Sequence, residues 1–401
     1  MKTIFISAFI CFICGNILAQ EKITLEKAIE MATTNSLKIK NEVLNSEYLM
    51  RLTKTAYDIP NTTVGTELGQ FNSNVFDVKL GVSQNIKFPS VYKKQKQLLL
   101  EEAKAGEWNE AMQKRAVAKQ VPPVFYEMIY LQEKEKLLLR LDSIYSEFLR
   151  KATLRFNKGE SNILEKTTAE NQLGQIKVQL EELRSDYKIL QTQFNYLLNS
   201  GTNYLPVADK YKLDFVENAE DNFNTATPVI KLIEQEKNIN SAKIMVEKSK
   251  KTPEFIGGLY YQTFRTNAAL QNGYNGLYGS LGLAFPIFNT AIKNRVKALE
   301  VNNDIANNKL QIEKQNWQNQ YQQLLQEYKK YSTTIIFYEK EALKNVDLVL
   351  ATANKKFISG DINYLEWVML INQNTEIQSN YVEAIRKLNA AIVQLNLLTN
   401  K

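Results

Sequence analysis

Side chains that could carry out catalytic chemistry are scarce in this chain. The full sequence contains no histidine and two cysteines, Cys11 and Cys14. Histidine is the usual general base near neutral pH, and imidazoles and thiolates are the commonest zinc and copper ligands. The carboxylates that remain are not grouped with a nucleophile, a phosphate-binding loop or a metal-ligand set. The sequence therefore predicts a protein that is not an enzyme and that uses no metal or cofactor.

The first residues have the pattern of a secretory signal peptide. A basic start at Lys2 precedes an apolar run from Ile4 to Leu18, and the small residue Ala19 follows. This order of basic, apolar and small residues is typical of a segment that is removed after export. We expect residues 1–19 to be cleaved, which removes both cysteines and leaves no disulfide in the mature protein.

One glutamate recurs within a duplicated segment. The sequence Phe156-Asn157-Lys158-Gly159-Glu160-Ser161-Asn162 returns as Phe357-Ile358-Ser359-Gly360-Asp361-Ile362-Asn363, and each copy is followed by a Leu-Glu pair, Leu164-Glu165 and Leu365-Glu366. A repeat at this distance indicates a duplication of half the protein rather than a solenoid. We expect a first repeat at 20–199, a polar linker at 200–227 and a second repeat at 228–401.

Each predicted repeat contains one pair of strands. Apolar residues occupy alternate positions in Val75–Ile86 and again in Leu277–Phe285, and this period of two predicts a strand with one apolar face. Weaker strands precede both, which gives β-hairpins at 62–87 and 254–286, the second with a polar loop at Thr266–Gly273. Strands of about ten residues have the length of a tilted transmembrane strand.

The remainder of each repeat is predicted to be helical. One helix is expected at 23–57, capped by Thr24, and another at 228–250. Each hairpin is followed by a helical run, 91–157 and 291–358, of roughly 100 Å at 1.5 Å per residue. The chain then turns near 157–163 and 358–364 and returns through heptad-patterned helices, for which a period of 3.5 predicts coiled-coil packing. Pro122-Pro123 lies inside the first run, where we expect a kink or a break.

Four transmembrane strands cannot close a barrel by themselves. Open sheet edges do not occur in lipid, and known barrels have at least eight strands. Two copies would give eight strands with a filled interior, whereas three copies would give twelve strands, with room for water. The sequence therefore predicts an internally duplicated membrane protein of mixed helix and sheet, whose protomers share one barrel.

The order of these elements resembles the outer-membrane efflux proteins of the TolC family over essentially the whole mature chain. The resemblance rests on helix, proline, hairpin, Phe-Pro and long helix in that order, on their duplication, and on the two Phe-x-x-Gly…Leu-Glu turns. It implies a homotrimer with a twelve-stranded barrel in outer-membrane lipid and an α-helical tunnel in the periplasm. It further implies a passive exit duct, which works with a periplasmic adaptor and an inner-membrane transporter and does not bind nucleic acid.

The resemblance also implies roles for particular residues. In this family the two glycine turns are the periplasmic tips that contact the adaptor, and the matching residues are Phe156, Gly159, Leu164, Phe357, Gly360 and Leu365. The family's periplasmic constriction has acids six and nine residues after the second glycine, which correspond to Glu366 and Met369, with Glu165 the counterpart of Glu366 in the first half. Because Met369 is not an acid, one of the two acidic layers is missing.

Three other functions fit the same residues. A duct for type I protein secretion would have the same fold, and a duct for heavy-metal efflux need not bind its metal tightly. A soluble periplasmic coiled-coil adaptor or scaffold would explain the helices but gives no reason for the four strands.

Overall fold

The computed structural model describes residues 21–71, 76–216, 227–267 and 270–399. The expected signal peptide and part of the expected linker lie outside the described residues. In chain order the elements are β1 Glu21–Ile23, α1 Leu25–Asn35, α2 Leu37–Leu52, β2 Thr63–Gly69, β3 Asp77–Lys87, α3 Pro89–Asn157, α4 Ile163–Leu198, β4 Tyr204–Pro206, α5 Pro228–Ser249, β5 Glu254–Asn267, β6 Leu270–Ala284, α6 Thr290–Phe337, α7 Leu343–Ser359 and α8 Tyr364–Thr399.

The chain divides into two compact units, and several helices contribute to both. The first unit contains residues 1–35, 118–214 and 328–393, and the second contains 36–117, 215–327 and 394–401. The first unit therefore includes the turns between α3 and α4 and between α7 and α8, whereas the second includes the four long strands. No helix in the described parts of the chain combines the length and the apolar character of a membrane span.

The four long strands form one antiparallel sheet in the order β2-β3-β5-β6. The central pair joins the two hairpins, with Lys79 opposite Gln262 and Lys87 opposite Glu254. Alternating apolar residues favour this pairing, because residues directly opposite each other in a sheet share a face. The strands begin and end close to the predicted positions, except that β5 and β6 extend into the expected loop at 266–273.

The predicted helix at 23–57 is wrong in one respect, since it is divided at Ser36. Thr24 caps α1 as expected, with its hydroxyl oxygen accepting the Lys27 N–H at 3.4 Å. Ser36 is extended, and its side chain accepts the Ile39 N–H at 3.4 Å. A serine that satisfies a free N–H of the next helix provides a local reason to begin that helix anew.

Of the kink or break predicted at Pro122-Pro123, the break does not occur, because α3 is continuous from Pro89 to Asn157. Val121, Phe125 and Met128 next to the prolines are almost completely buried. Burying side chains of this size stabilises by about 1.5–3 kcal/mol each, which offsets the cost of about 3 kcal/mol for an interior proline.

The second long helical run is interrupted by a π-helical turn at Tyr338–Ala342, which lies between α6 and α7. Glu339 of this turn accepts hydrogen bonds from Lys212 at 2.7 Å and from the Tyr381 hydroxyl at 3.0 Å. The hydrogen bond from Lys212 holds the pKa of the Glu339 carboxyl below its usual range, although partial burial acts in the opposite direction. The π-helical turn thus lies where a segment from the linker binds the helix.

The linker is partly ordered, which the sequence did not predict. Its strand β4 pairs in parallel with β1, and Val207 donates to the Ile23 carbonyl at 3.0 Å. The following residues bind α8 through Asn389, whose amide donates to the Tyr211 carbonyl at 2.7 Å and accepts the Leu213 N–H at 2.9 Å. We call residues 207–214 the linker strap.

Replacing Asn389 should release this strap. Asn389 is 3 % exposed, and Asn389→Ala leaves the Leu213 N–H and the Tyr211 carbonyl without their partner, at a cost of about 1–3 kcal/mol. We expect faster limited proteolysis within residues 207–214 and lower thermal stability. Asn308→Ala, at an exposed position of α6, is the matched control, and equal cleavage of the two variants would contradict the assignment.

Candidate functional site

The two predicted turns have the same backbone hydrogen bonds. In the first, Gly159 donates to the Phe156 carbonyl at 3.0 Å and Glu160 to the Arg155 carbonyl at 2.8 Å. In the second, Gly360 donates to the Phe357 carbonyl and Asp361 to the Lys356 carbonyl, at 3.3 and 2.9 Å. This is the Schellman pattern of a helix end.

Glycine is required in both turns by the backbone itself. The φ angles of Gly159 and Gly360 are +74° and +83°, and an added Cβ would have no neighbour within 4 Å at either position. The left-handed conformation is unfavourable for a residue with a side chain even where space is available. The Phe-x-x-Gly motif therefore encodes the same helix end twice.

The next helix begins in both copies with an asparagine cap, but the glutamate behaves differently. Asn162 and Asn363 accept the N–H groups of Glu165 and Glu366 at 3.2 and 3.0 Å. Glu366 reaches back to accept the Asn363 N–H at 2.9 Å, which completes a capping box, and it remains exposed.

Glu165 is instead buried in an ion pair. Its carboxylate accepts a hydrogen bond from Arg155 at 3.1 Å, and its side chain is 5 % exposed. The same guanidinium lies 5.7 Å from the ring centre of Phe357. Arg155 therefore connects the start of α4 to the end of α7, so the two turns are linked by one side chain.

An aromatic cluster lies next to this link. Trp367 and Phe148 have ring centres 4.3 Å apart, and Tyr145 and Phe357 contact the same rings edge-on or tilted. The Trp367 indole donates to Asn354 at 2.8 Å, and the Tyr145 hydroxyl to Asn372 at 2.6 Å. Burial raises the pKa of Tyr145 to about 12, so it remains a neutral hydrogen-bond donor at neutral pH.

The predicted docking residues differ in accessibility. Leu164 and Leu365 are each 59 % exposed. Phe156 is half-buried beneath Lys166, and Phe357 is 8 % exposed within the aromatic cluster. Phe357 therefore supports its turn from inside, while the two leucines are apolar side chains on the surface.

Sequence reasoning missed part of this apolar surface. Leu154, Ile163 and Ile358 are also exposed near the two turns, Ile358 to 69 %. Ile163 adjoins Leu164 and Ile358 adjoins Phe357, so the signal was present for these two: an apolar side chain within four residues of a turn glycine.

The residues matched to the constriction have different surroundings. Met369 is exposed on α8 one turn after Leu365, Glu366 belongs to the capping box, and Glu165 belongs to the buried ion pair. Within the described residues, no three or more carboxylates, cysteines or histidines are grouped as they would be around a metal ion.

The sheet of the second unit has two chemically different faces. The register of the four strands places every second residue of each strand on the same face of the sheet. Most side chains on this face are apolar and exposed, Leu281 to 96 % and Leu277 to 76 %. The apolar side chains on this face are those of Val64, Leu68, Val78, Leu80, Val82, Ile86, Phe255, Leu259, Tyr261, Leu277, Leu281 and Leu283. An exposed apolar surface of this extent marks a site of interaction with lipid or another protein.

The opposite face carries small and polar residues. Gly81, Ser83 and Asn85 alternate with the apolar positions of β3. Gly258 of β5 lies between Ser83 of β3 and Ser280 of β6 in the register. Lys79 and Glu67 form an ion pair at 2.9 Å on this face. One face therefore suits an apolar environment and the other suits water.

Comparison with known proteins gives a match of fold. No profile of a known protein family matches the sequence, and no curated protein does. Among solved structures, the chain is similar to the outer-membrane channel OprN, at a TM-score of 0.74 and 11 % identity over 94 % of this chain and 89 % of that one.

Two further solved structures show the same likeness. The CmeC outer-membrane channel of Campylobacter jejuni has a TM-score of 0.71 and 12 % identity, covering 94 % of this chain and 85 % of that one. The open state of the MtrE outer-membrane channel of Neisseria gonorrhoeae has a TM-score of 0.69 and 13 % identity, covering 94 % and 88 %. The chain therefore has the fold of these outer-membrane channels.

The aromatic cluster makes the two halves unequal, which a pair of substitutions can test. Trp367 is 3 % exposed, and Trp367→Ala should lower stability by about 3–5 kcal/mol because it removes a large buried side chain. The corresponding position in the first turn is Lys166, where Lys166→Ala should change stability by less than about 0.5 kcal/mol. Thermal denaturation of the purified protein measures both, and equal losses would contradict the asymmetry.

Proposed function

We propose that this protein is an outer-membrane channel that serves as the exit duct of a tripartite efflux pump. In this proposal residues 1–19 direct export, three copies assemble, and each contributes its four strands to one twelve-stranded barrel. The helices extend the channel into the periplasm as a tunnel. The protein provides a passage and catalyses no reaction.

The single observation that carries this proposal is the two-faced sheet. A sheet with an exposed apolar face on one side and small polar side chains on the other is suited to separating lipid from water. Burying apolar surface in lipid gains about 25 cal/mol per Å², so the exposed leucines of this face favour a membrane location. The fold shared with outer-membrane channels supports the same interpretation.

The edges of the sheet favour assembly. Within the described residues, β2 pairs with β3 and β6 pairs with β5, and neither has a partner on its other side. Unpaired backbone groups are not tolerated in lipid. Pairing β6 of one copy with β2 of the next would satisfy them, and three copies would give an interior wide enough for water.

Partners are proposed from the turns. The exposed Leu164 and Leu365, each next to a glycine turn, give a periplasmic adaptor an apolar surface to bury, and an inner-membrane transporter would complete the pump. A duct of the same fold for type I protein secretion is the alternative within this class. The soluble periplasmic adaptor or scaffold is disfavoured, because its sheet would expose an apolar face to water.

Cell fractionation and mass measurement test the assembly. We expect the protein in the outer-membrane fraction, released only by detergent, with a native mass three times that of the mature protomer. The unequal faces supply an internal control: Leu281→Asp on the apolar face should reduce membrane assembly, whereas Ser280→Asp on the opposite face should not. A monomer extracted without detergent would refute the proposal.

Charged substitutions at the turns test docking. Leu164→Asp combined with Leu365→Asp should remove the apolar contact, so that cells accumulate exported dyes, detergents or metal ions to the level of a deletion strain. The trimer should still reach the outer membrane. Thr167→Asp adds the same charge at an exposed position of α4 one turn away and should leave export intact. Export by the double variant at the normal rate would exclude these leucines from docking.

A further inference from the structure

The polar face of the sheet carries a pair of aromatic side chains. Tyr260 and Tyr278 lie opposite each other in register, with ring centres 5.3 Å apart and planes inclined by 21°. The Lys79 ammonium lies 5.1 Å from the ring centre of Tyr260 while it pairs with Glu67. We call Tyr260 and Tyr278, with Lys79, the tyrosine ledge.

Two glycines leave the space that the Tyr260 ring occupies. Gly81 lies opposite Tyr260 on β3, and Gly258 precedes it by two residues on β5, so both share its face. A Cβ on Gly81 would lie 2.4 Å from Cδ1 of Tyr260, and a Cβ on Gly258 would lie 2.6 Å from Cε2. The ring therefore lies close against the backbone of β3 and β5 at both glycines.

We propose that Tyr260 sets the width of the channel within the barrel, and that Gly81 and Gly258 leave the space in which its ring lies close to the sheet, in an open position. This inference rests on the proposed function, because it requires the polar face to line a water-filled pore. Tyr278 lies on the β6 side of the Tyr260 ring, and the backbone of the sheet lies beneath the Tyr260 ring, so neither direction is open to it. A side chain on either glycine therefore drives the ring away from the sheet, into the pore.

The ledge lies about midway along the sheet. Tyr260 is the seventh of the fourteen residues of β5, and Gly81, opposite it, is the fifth of the eleven residues of β3. In a trimer three copies of Tyr260 would lie at the same level, so a small displacement of each ring narrows the pore from three sides. Pore diameter at the narrowest level decides which solutes pass.

The test adds a single methyl group. Gly81→Ala places the clashing Cβ beneath Tyr260, and Gly279→Ala is the control on the apolar face of the same sheet, where the nearest atom would be 3.8 Å away. Tyr260→Ala combined with Gly81→Ala removes the ring that is displaced. The reconstituted trimer is measured in planar lipid bilayers, where Gly81→Ala should roughly halve the single-channel conductance.

A second readout does not depend on whether the periplasmic entrance is open. Ser280 lies on the polar face of β6, two residues beyond Tyr278 and on the side away from the turn between β2 and β3. A solute that enters from the turn end passes the ledge before it reaches this position, so Ser280→Cys is a reporter thiol beyond the ledge. Both natural cysteines lie in the expected signal peptide. Added outside intact cells, a bulky maleimide should label this thiol about tenfold more slowly when Gly81→Ala is present, while a small maleimide labels it unchanged.

The outcomes separate the two proposals. Slower bulky labelling and lower conductance in Gly81→Ala, reversed by Tyr260→Ala and absent in Gly279→Ala, support the ledge. Equal values for Gly81→Ala and the parent protein, or no reversal by Tyr260→Ala, overturn the ledge and leave the proposed channel intact. If neither maleimide labels Ser280→Cys when Gly81 is unchanged, the barrel is not filled with water. That result would overturn both the ledge and the proposed channel.

Discussion

Pairing between β3 and β5 is the interaction on which the rest of the sheet depends. These strands come from different halves of the chain, and their register decides which side chains share a face. A shift by one residue would move Leu80 and Val82 to the polar face and bring Lys79 among the leucines. Both the apolar surface and the tyrosine ledge therefore depend on this one pairing. Because β3 and β5 are far apart in the chain, forming the pair has a considerable cost in loop-closure entropy.

Local pattern was sufficient to predict most elements of the fold. Alternating apolar residues located the strands, and Gly159 and Gly360 located the turns, because each signal is contained within a few residues. The strand pair β1 and β4 was missed, since three residues carry too little periodicity and their partner is distant in the chain. The sequence could not decide between a kink and a break at Pro122-Pro123, because buried neighbours, which are tertiary information, decide the continuity of the helix.

The candidate site shows where a sequence repeat stops being informative. Glu165 and Glu366 follow matched turns, yet one forms an ion pair and the other a capping box. In the first turn, Arg155 forms the ion pair with Glu165. In the second turn, Lys356 stands at the matching position and forms no ion pair with Glu366 within the part of the chain that the structure describes. Phe156 and Phe357 diverge likewise, because Trp367 and Phe148 enclose only the second. Equal motifs thus predict equal backbones but not equal surfaces.

The π-helical turn at Tyr338–Ala342 has a geometrical consequence for this asymmetry. From Pro89 to Gly159 and from Thr290 to Gly360 the chain has the same number of residues. A π-helical turn uses one more residue per revolution than an α-helical turn, so the second run completes less rotation over the same residue count. Side chains that follow the π-helical turn are therefore rotated about the helix axis relative to those before it, so equal sequence spacing does not place matched residues of the two runs on matched helix faces.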